Sequence, residues 1–362
     1  MRPAHLVSVG AWRWPSPRFA RSIRTIMLLM KTAIVAILLS GVSVFAAEPQ
    51  KEISGGGIRA KINLPDVKDG YYKGTRFDWA GQVYSLEYAG HNYYGPWYTQ
   101  RREGVRDFIY EGNEIVVGVP SSATGPAEEY AVLGYDDAQP GGTFIKIGIG
   151  ALKKPDTTAY DHYKIYEIAD PGKWDIRSGA NFVEFTQTLN GPDGYAYVYR
   201  KTIRLATDKP QMTIEHSLKN TGTKPIAGNV YNHNFLTLDQ KPAGPGYTIT
   251  VPYELKVARP PNADIMEVQG NKIIYKKTLE GQDRGSLQFT GYSTTDPKDN
   301  AFSIESPALG AGMRVQGDSP MLRIGLFAVR SVVAMEPYTD LKIEPGKEFR
   351  WNYTYDYYTL KH

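Results

Sequence analysis

What most constrains this chain is the rhythm that begins near Thr143. From there to the C-terminus, short runs rich in Val, Ile, Thr, Tyr and Phe follow one another, separated by Gly, Pro, Asn and Asp. Residues 143–149, 160–169, 174–178, 182–189, 196–206, 211–220, 226–238 and 247–258 each read as strand, as do 272–279, 286–290, 301–305, 314–316, 321–328, 332–338 and 348–358. Asn190-Gly191-Pro192-Asp193-Gly194 is a hairpin loop between two of them. No stretch keeps a 3.6-residue period for three turns, and no linker interrupts the run after Gly142. Many strands at short spacing predict an all-β chain folded as one large antiparallel β-sandwich. The 26 Tyr, 36 Gly and 24 Pro agree, since aromatic residues suit strands and Gly and Pro suit their turns.

The N-terminal part is less regular. Residues 58–64 read as an edge strand, and 71–88 as a turn, a strand and a continuation past Gly81. That glycine predicts a bulge or a close backbone approach. Residues 118–142 are punctuated by Gly and Pro and read as a long loop, a place where function often resides.

The first 46 residues are expected to lie outside the fold. Met30-Lys31, the apolar run 32–39 and the small residues before Ala47 describe a secretory signal peptide, cut after Ala46. The apolar run is shorter than the roughly 18 residues a spanning helix needs. Residues 1–26 read as a spurious upstream extension. Six bases and no acid fall within residues 1–46, so the mature domain, 47–362, keeps 36 bases against 38 acids, a net charge of −2. The overall +4 therefore belongs to the leader, and nothing recommends a nucleic-acid partner. Zero cysteines exclude disulfides and thiolate metal sites. No metal-binding spacing and no phosphate-cradling glycine loop stands in the chain, so no metal and no cofactor is implied. These features fit a monomer, periplasmic or secreted, with no membrane insertion after leader cleavage.

One stretch could carry chemistry: Tyr231-Asn232-His233-Asn234-Phe235-Leu236. Period-two alternation puts Tyr231, His233 and Phe235 on one face and Asn232, Asn234 and Leu236 on the other. An imidazole among aromatics is either a tied-down core histidine or an acid–base group in a cleft. His216 shares a face with Met212, Ile214 and Leu218 and reads as a core histidine, whereas His162 reads as a surface residue. Arg76, Asp78 and Trp79 stand together and could grip sugar hydroxyls or a carboxylate, or form an ion pair. Trp97 and Tyr98 suit either a stacking platform for a sugar ring or core packing. Glu128 and Glu129 could each lend a carboxylate to a cleft, but as neighbours on an extended chain they point opposite ways.

Three motifs recur in a telling order. They are Tyr231-Asn232-His233-Asn234-Phe235-Leu236, Val333-Ala334-Met335-Glu336-Pro337-Tyr338, and the closing Leu341-Lys342-Ile343-Glu344-Pro345-Gly346-Lys347-Glu348-Phe349. With the preceding strand pair 195–205 and 211–220, they make residues 182–357 resemble the galactose mutarotase (aldose 1-epimerase) family and its supersandwich fold. The resemblance implies a carbohydrate-binding isomerase of carbohydrate metabolism that interconverts sugar anomers. His233 would be the acid on the ring oxygen, and Glu336 the base on the anomeric hydroxyl. Arg76, Asp78, Trp79, His91, Trp97, Glu128 and Asn232 are then the candidates for binding a mono- or oligosaccharide. The family's second histidine, in a His-Gly-Gly-type segment, has no aligned counterpart; His91 is the one early histidine that could replace it, or else a turn residue. A glycoside hydrolase or lyase on the same fold, pairing Glu336 with Asp78, Glu128 or Glu129, and a non-catalytic glycan-binding protein are the alternatives.

Overall fold

Alternation along the strands decides the architecture. In Phe182–Asn190 and Gln211–Asn220 every second residue is buried, the pattern of a sheet with one face on a core. In the computed structural model, which describes residues 48–361, these strands belong to a ten-stranded antiparallel sheet. Its order is Lys173–Ser178, Phe182–Asn190, Ala196–Leu205, Gln211–Asn220, Glu348–Thr359, Ala311–Gly317, Ala301–Ser306, Thr248–Thr250, Lys272–Tyr275 and Met266–Gln269. A six-stranded antiparallel sheet packs across it, ordered Lys256–Val257, Leu287–Thr290, Arg323–Val329, Val332–Ile343, Ile226–Phe235 and Gly125–Tyr130. The fold is the all-β antiparallel sandwich that the strand rhythm predicts. The leader expected over residues 1–46 lies outside the described residues.

Between the sheets, Tyr353, Tyr355 and Tyr357 of one meet Val230, Leu341 and Ile343 of the other in the main core. Full burial of a side chain of this size stabilises by about 1.5–3 kcal/mol. A second cluster, with Phe77, Trp97, Tyr231 and Phe235, lies on the opposite face of the six-stranded sheet. That sheet is therefore covered on both faces, by the larger sheet on one and by N-terminal segments on the other. The site forms on the second face.

Gly81 sits at φ +65°, and a Cβ there would meet the Phe185 ring at 2.6 Å, so the expected close approach is real. Residues 71–82 hold no strand, the strand expected there beginning only at Val83, and three further expectations change. Residues 118–142 are not a loop throughout: Gly125–Tyr130 is a fully buried strand at the edge of the six-stranded sheet. Pro126 is tolerated because the strand is an edge, and its two glutamates are buried against cations rather than alternating with apolar residues. Residues 160–167 turn instead of extending, with Asp161 Oδ1 accepting from Tyr163 N at 3.0 Å; the strand there is only Ile168–Asp170. Residues 247–258 divide around Pro252 into Thr248–Thr250 and Lys256–Val257, one in each sheet.

Candidate active site

Strand register makes the central pair. Tyr231 pairs with Tyr338, and Leu236 bridges to Val333, so one antiparallel register runs through the interval and sets His233 opposite Glu336. The backbone ladder opens there. Asn234 Nδ2 donates instead to Met335 O at 2.9 Å and to Asn232 O at 3.1 Å. His233 Nε2 lies 3.0 Å from Glu336 Oε1, as directly opposed side chains can. The faces divide as the alternation predicts. Asn232 Nδ2 donates to Tyr355 Oη at 2.6 Å, and Tyr355 Oη donates to Asn234 Oδ1 at 2.8 Å, both between the sheets. Tyr231, His233 and Phe235 look the other way, into a cavity of about 650 Å³.

Aromatic rings enclose the imidazole. It stacks on Phe235 at 3.6 Å and 7°, and meets the edges of Phe77 at 5.9 Å and Phe327 at 5.7 Å. Burial, helped by the nearby Arg76 charge and opposed by Glu129, holds its pKa well below the usual histidine value. Its Nδ1 is buried without a partner, so a second proton there would leave an unsatisfied N–H. The imidazole is neutral at pH 7, and its proton belongs on Nε2, where Glu336 can accept it. Glu336 keeps about 20% of its side chain exposed to the cavity. Burial pushes its carboxyl up to about 7, against the pull of Arg76 and Arg323. The result is a neutral donor beside a carboxyl that changes charge near neutrality, both on a cavity wall.

Glu129 organises the adjoining wall. The edge strand places it beside Tyr231, to which it is paired in register. Its Oε2 accepts from Arg76 Nε at 2.8 Å and from Tyr231 Oη at 2.7 Å, and its Oε1 faces Lys146 Nζ at 3.3 Å and His162 Nδ1 at 3.2 Å. Arg76 Nη2 also donates to Tyr231 Oη at 2.8 Å. Burial alone would raise the Glu129 carboxyl, but Lys146, Arg76 and His162 hold it well below the usual range. Glu129 is thus a fixed anion rather than a proton carrier.

Of the residues expected in the site, the structure brings Arg76, Trp97, Glu129, His233 and Glu336 to one cavity. The others lie elsewhere. Asp78 and Glu128 share a sealed network around Lys201: Asp78 Oδ2 is 3.6 Å from Lys201 Nζ and accepts from Tyr199 Oη at 2.7 Å. Glu128 contacts Lys201 Nζ and His216 Nε2, the latter at 3.1 Å. His216, stacked on Trp351 at 4.6 Å and 3°, is a core histidine. Trp79 is buried, its Nε1 donating to Gly74 O at 2.8 Å. His91 Nδ1 faces Asp239 Oδ2 at 2.7 Å in a separate surface hollow, and Asn232 faces the larger sheet. Trp97 is almost fully buried and stacks on Phe235, 5.9 Å between rings. Sequence reasoning missed Lys146, Tyr231, Arg284 and Arg323 as cavity residues, and His162, read as surface, lines the cavity too. For Tyr231 the missing signal was the register of the three strands.

Among the described residues, no group of three or more His, Cys, Asp or Glu side chains is placed to hold a metal ion, and no helix is long and apolar enough to cross a membrane.

Comparison with protein-family models and with curated protein sequences gives no match. Among solved structures, similar ones are aldose 1-epimerase- or galactose mutarotase-like. A GalM/aldose epimerase homologue from C. elegans is 13% identical, with 87% of this chain and 100% of that one covered and a TM-score of 0.49. A galactose mutarotase-like protein from Lactobacillus casei is 12% identical, with 86% and 100% covered and a TM-score of 0.48.

Proposed function

We propose that this protein interconverts the anomers of a free sugar by opening and reclosing its hemiacetal ring, with His233 as acid and Glu336 as base. The observation that supports this reading is the 3.0 Å contact of Nε2 with Oε1 at the wall of an open cavity. The two atoms the reaction must serve, the ring oxygen and the anomeric hydroxyl oxygen, are bonded to one carbon. They lie closer together than a hydrogen bond is long, so a donor and an acceptor already side by side can reach both.

The Glu336 carboxylate takes the proton of the anomeric hydroxyl while the ring oxygen takes the Nε2 proton, which leaves a transient imidazole anion beside the newly neutral carboxyl. The bond from the anomeric carbon to the ring oxygen breaks, and the carbonyl forms. Rotation about the adjacent carbon–carbon bond and reclosure give the other anomer. The proton gained by Glu336 returns to the imidazole across their contact, so the pair ends as it began and no net charge builds up in the walled site. The hydrolase alternative needs a second carboxyl able to give or hold a proton. Asp78 and Glu128 are sealed away from the cavity, and Glu129 is pinned by two cations, so this alternative is disfavoured. The leader read in residues 1–46 places the proposed activity outside the cytoplasm.

Polarimetry or NMR on freshly dissolved α-glucose and α-galactose tests the proposal. Equilibration faster than the spontaneous rate, lost in His233→Ala and in Glu336→Gln, is expected. Sugar binding with no acceleration would sink it.

A further inference from the structure

The cavity is lined by four Arg or Lys side chains, Arg76, Lys146, Arg284 and Arg323, against three acids, Asp107, Glu129 and Glu336. Arg76 and Lys146 both pair with Glu129. Arg284 and Arg323 also line the cavity, and among the described residues neither forms a salt bridge. Each instead rests on an aromatic face: the Arg323 guanidinium lies 3.8 Å from the Tyr338 ring centre, and that of Arg284 lies 5.2 Å from Phe108. A guanidinium laid on a ring is held in orientation while the N–H groups around its edge stay available. Two such forks in one hollow suit a carboxylate or a phosphate, which accept two parallel N–H bonds.

The position of these forks relative to the reactive pair is set by register. Gly325 is paired with Glu336 on one side and Gln288 on the other, with Arg323 and Phe327 two residues away along its own strand. A Cβ at Gly325 would stand 3.4 Å from Gln288 Nε2 and 3.7 Å from Glu336 Oε2. Both side chains therefore close over the buried glycine, and Glu336, Phe327 and Arg323 stand close together along one wall of the cavity. A neutral hexose offers hydroxyl acceptors to these N–H groups but no charge to balance them.

We infer that the substrate of this cavity is an anionic sugar, a sugar acid or a sugar phosphate. Its ring lies against Glu336 and His233, and its charged group is received by Arg323 and Arg284. The inference rests on the anomerisation reading for the chemistry, but not for the binding. Anomer exchange by NMR is measured with glucose, glucuronate and glucose 6-phosphate, and calorimetry follows binding of the two anions. At least one anion should be turned over with a kcat/KM above that of glucose by about tenfold for each guanidinium engaged. The ratio of anion to glucose should collapse in Arg323→Gln and in Arg284→Gln, chiefly through KM, and whichever anion is preferred identifies a carboxylate or a phosphate. A preference for glucose, a ratio unmoved by both substitutions, or no binding of either anion overturns the inference. Arginine-dependent anion binding with no turnover of any sugar removes the anomerisation reading and leaves this one standing. Turnover of glucose without anion preference does the reverse.

Discussion

Asp78 and Glu336 invite comparison, because burial pushes each carboxyl up to about 7. Asp78 has no exposed side-chain surface and is closed in by Lys201, Tyr199 and a backbone N–H. Glu336 has a fifth of its side chain open to a cavity, and its one polar contact is His233. An equal displacement of pKa thus accompanies opposite prospects for chemistry. A shifted carboxyl marks a site only when a substrate atom can reach it. The contrast repeats one strand away. Glu128 and Glu129 are neighbours, yet strand alternation sends the first into the sealed network and the second to the cavity wall. The two networks also grip the same backbone, since Asp78 N donates to Glu128 O at 2.7 Å. The sealed cluster anchors the segments that present Arg76 and Glu129.

The sharpest way to break the comparison is to neutralise each carboxyl in turn. Glu336→Gln should cut the anomerisation rate by about 10²–10⁴-fold and leave the fold intact, as expected for loss of a general base. Asp78→Asn should alter the melting temperature far more than the rate. Equal loss of rate in both, at equal melting temperature, would erase the distinction between open and sealed carboxyls.

Next in size is the anchor itself. Lys201 is fully buried between two carboxylates, so Lys201→Ala leaves negative charge without its partner. Breaking such a buried pair costs about 3–5 kcal/mol. Chemical denaturation should show that loss, and activity per folded molecule should be largely retained. A fully stable Lys201→Ala protein would mean that the network is not what holds the edge strand.

These residues also show what a sequence discloses. Alternation alone placed Tyr231, His233 and Phe235 on one face and Asn232 and Asn234 on the other, because period two survives in any strand buried on both sides. It also foretold that Glu128 and Glu129 diverge, but not which one meets the cavity. That depended on the pairing of Glu129 with Tyr231 and Glu128 with Asn232, a relation between strands about a hundred residues apart. The edge strand itself was hidden because ionic partners, not apolar ones, bury its glutamates. Arg76 and Asp78 stand two residues apart, but their segment is irregular, so adjacency in sequence says nothing about shared facing. Arg323 was invisible as a site residue because an arginine in a strand ordinarily signals an exposed face.

The pH response separates function from stability at a single residue. Activity needs the Glu336 carboxylate, so the rate should fall as pH drops through about 7. Stability runs the other way. The unfolded carboxyl ionises near 4.5 while the folded one keeps its proton until about 7. Stability therefore declines as pH rises through that window and stays lower above it. The gap is worth about 3 kcal/mol. Glu336→Gln should consequently be more stable than the parent at pH 8 and nearly equal to it at pH 4.5. A stability difference independent of pH would place the Glu336 proton elsewhere.

The smallest expected effect tests the open side most finely. Gly325→Ala adds one methyl beneath the Gln288 and Glu336 side chains. Its neighbours would be Gln288 Nε2 at 3.4 Å and Glu336 Oε2 at 3.7 Å, both ordinary contacts, and both atoms end side chains that can give. The fold should hardly register the change, because the strand keeps its register and no core atom is displaced. The Glu336 carboxyl, which lies over the added methyl, would be pushed aside, and even small misplacement of a reacting group is costly. The expected outcome is an unchanged melting temperature with a several-fold drop in kcat/KM, comparable to the roughly tenfold per 1.4 kcal/mol of lost binding. A matching methyl on the sealed side has no cavity to fill and would be felt as strain instead. If Gly325→Ala left both rate and stability untouched, the packing of Glu336 and Gln288 over the glycine would not be what positions the carboxyl.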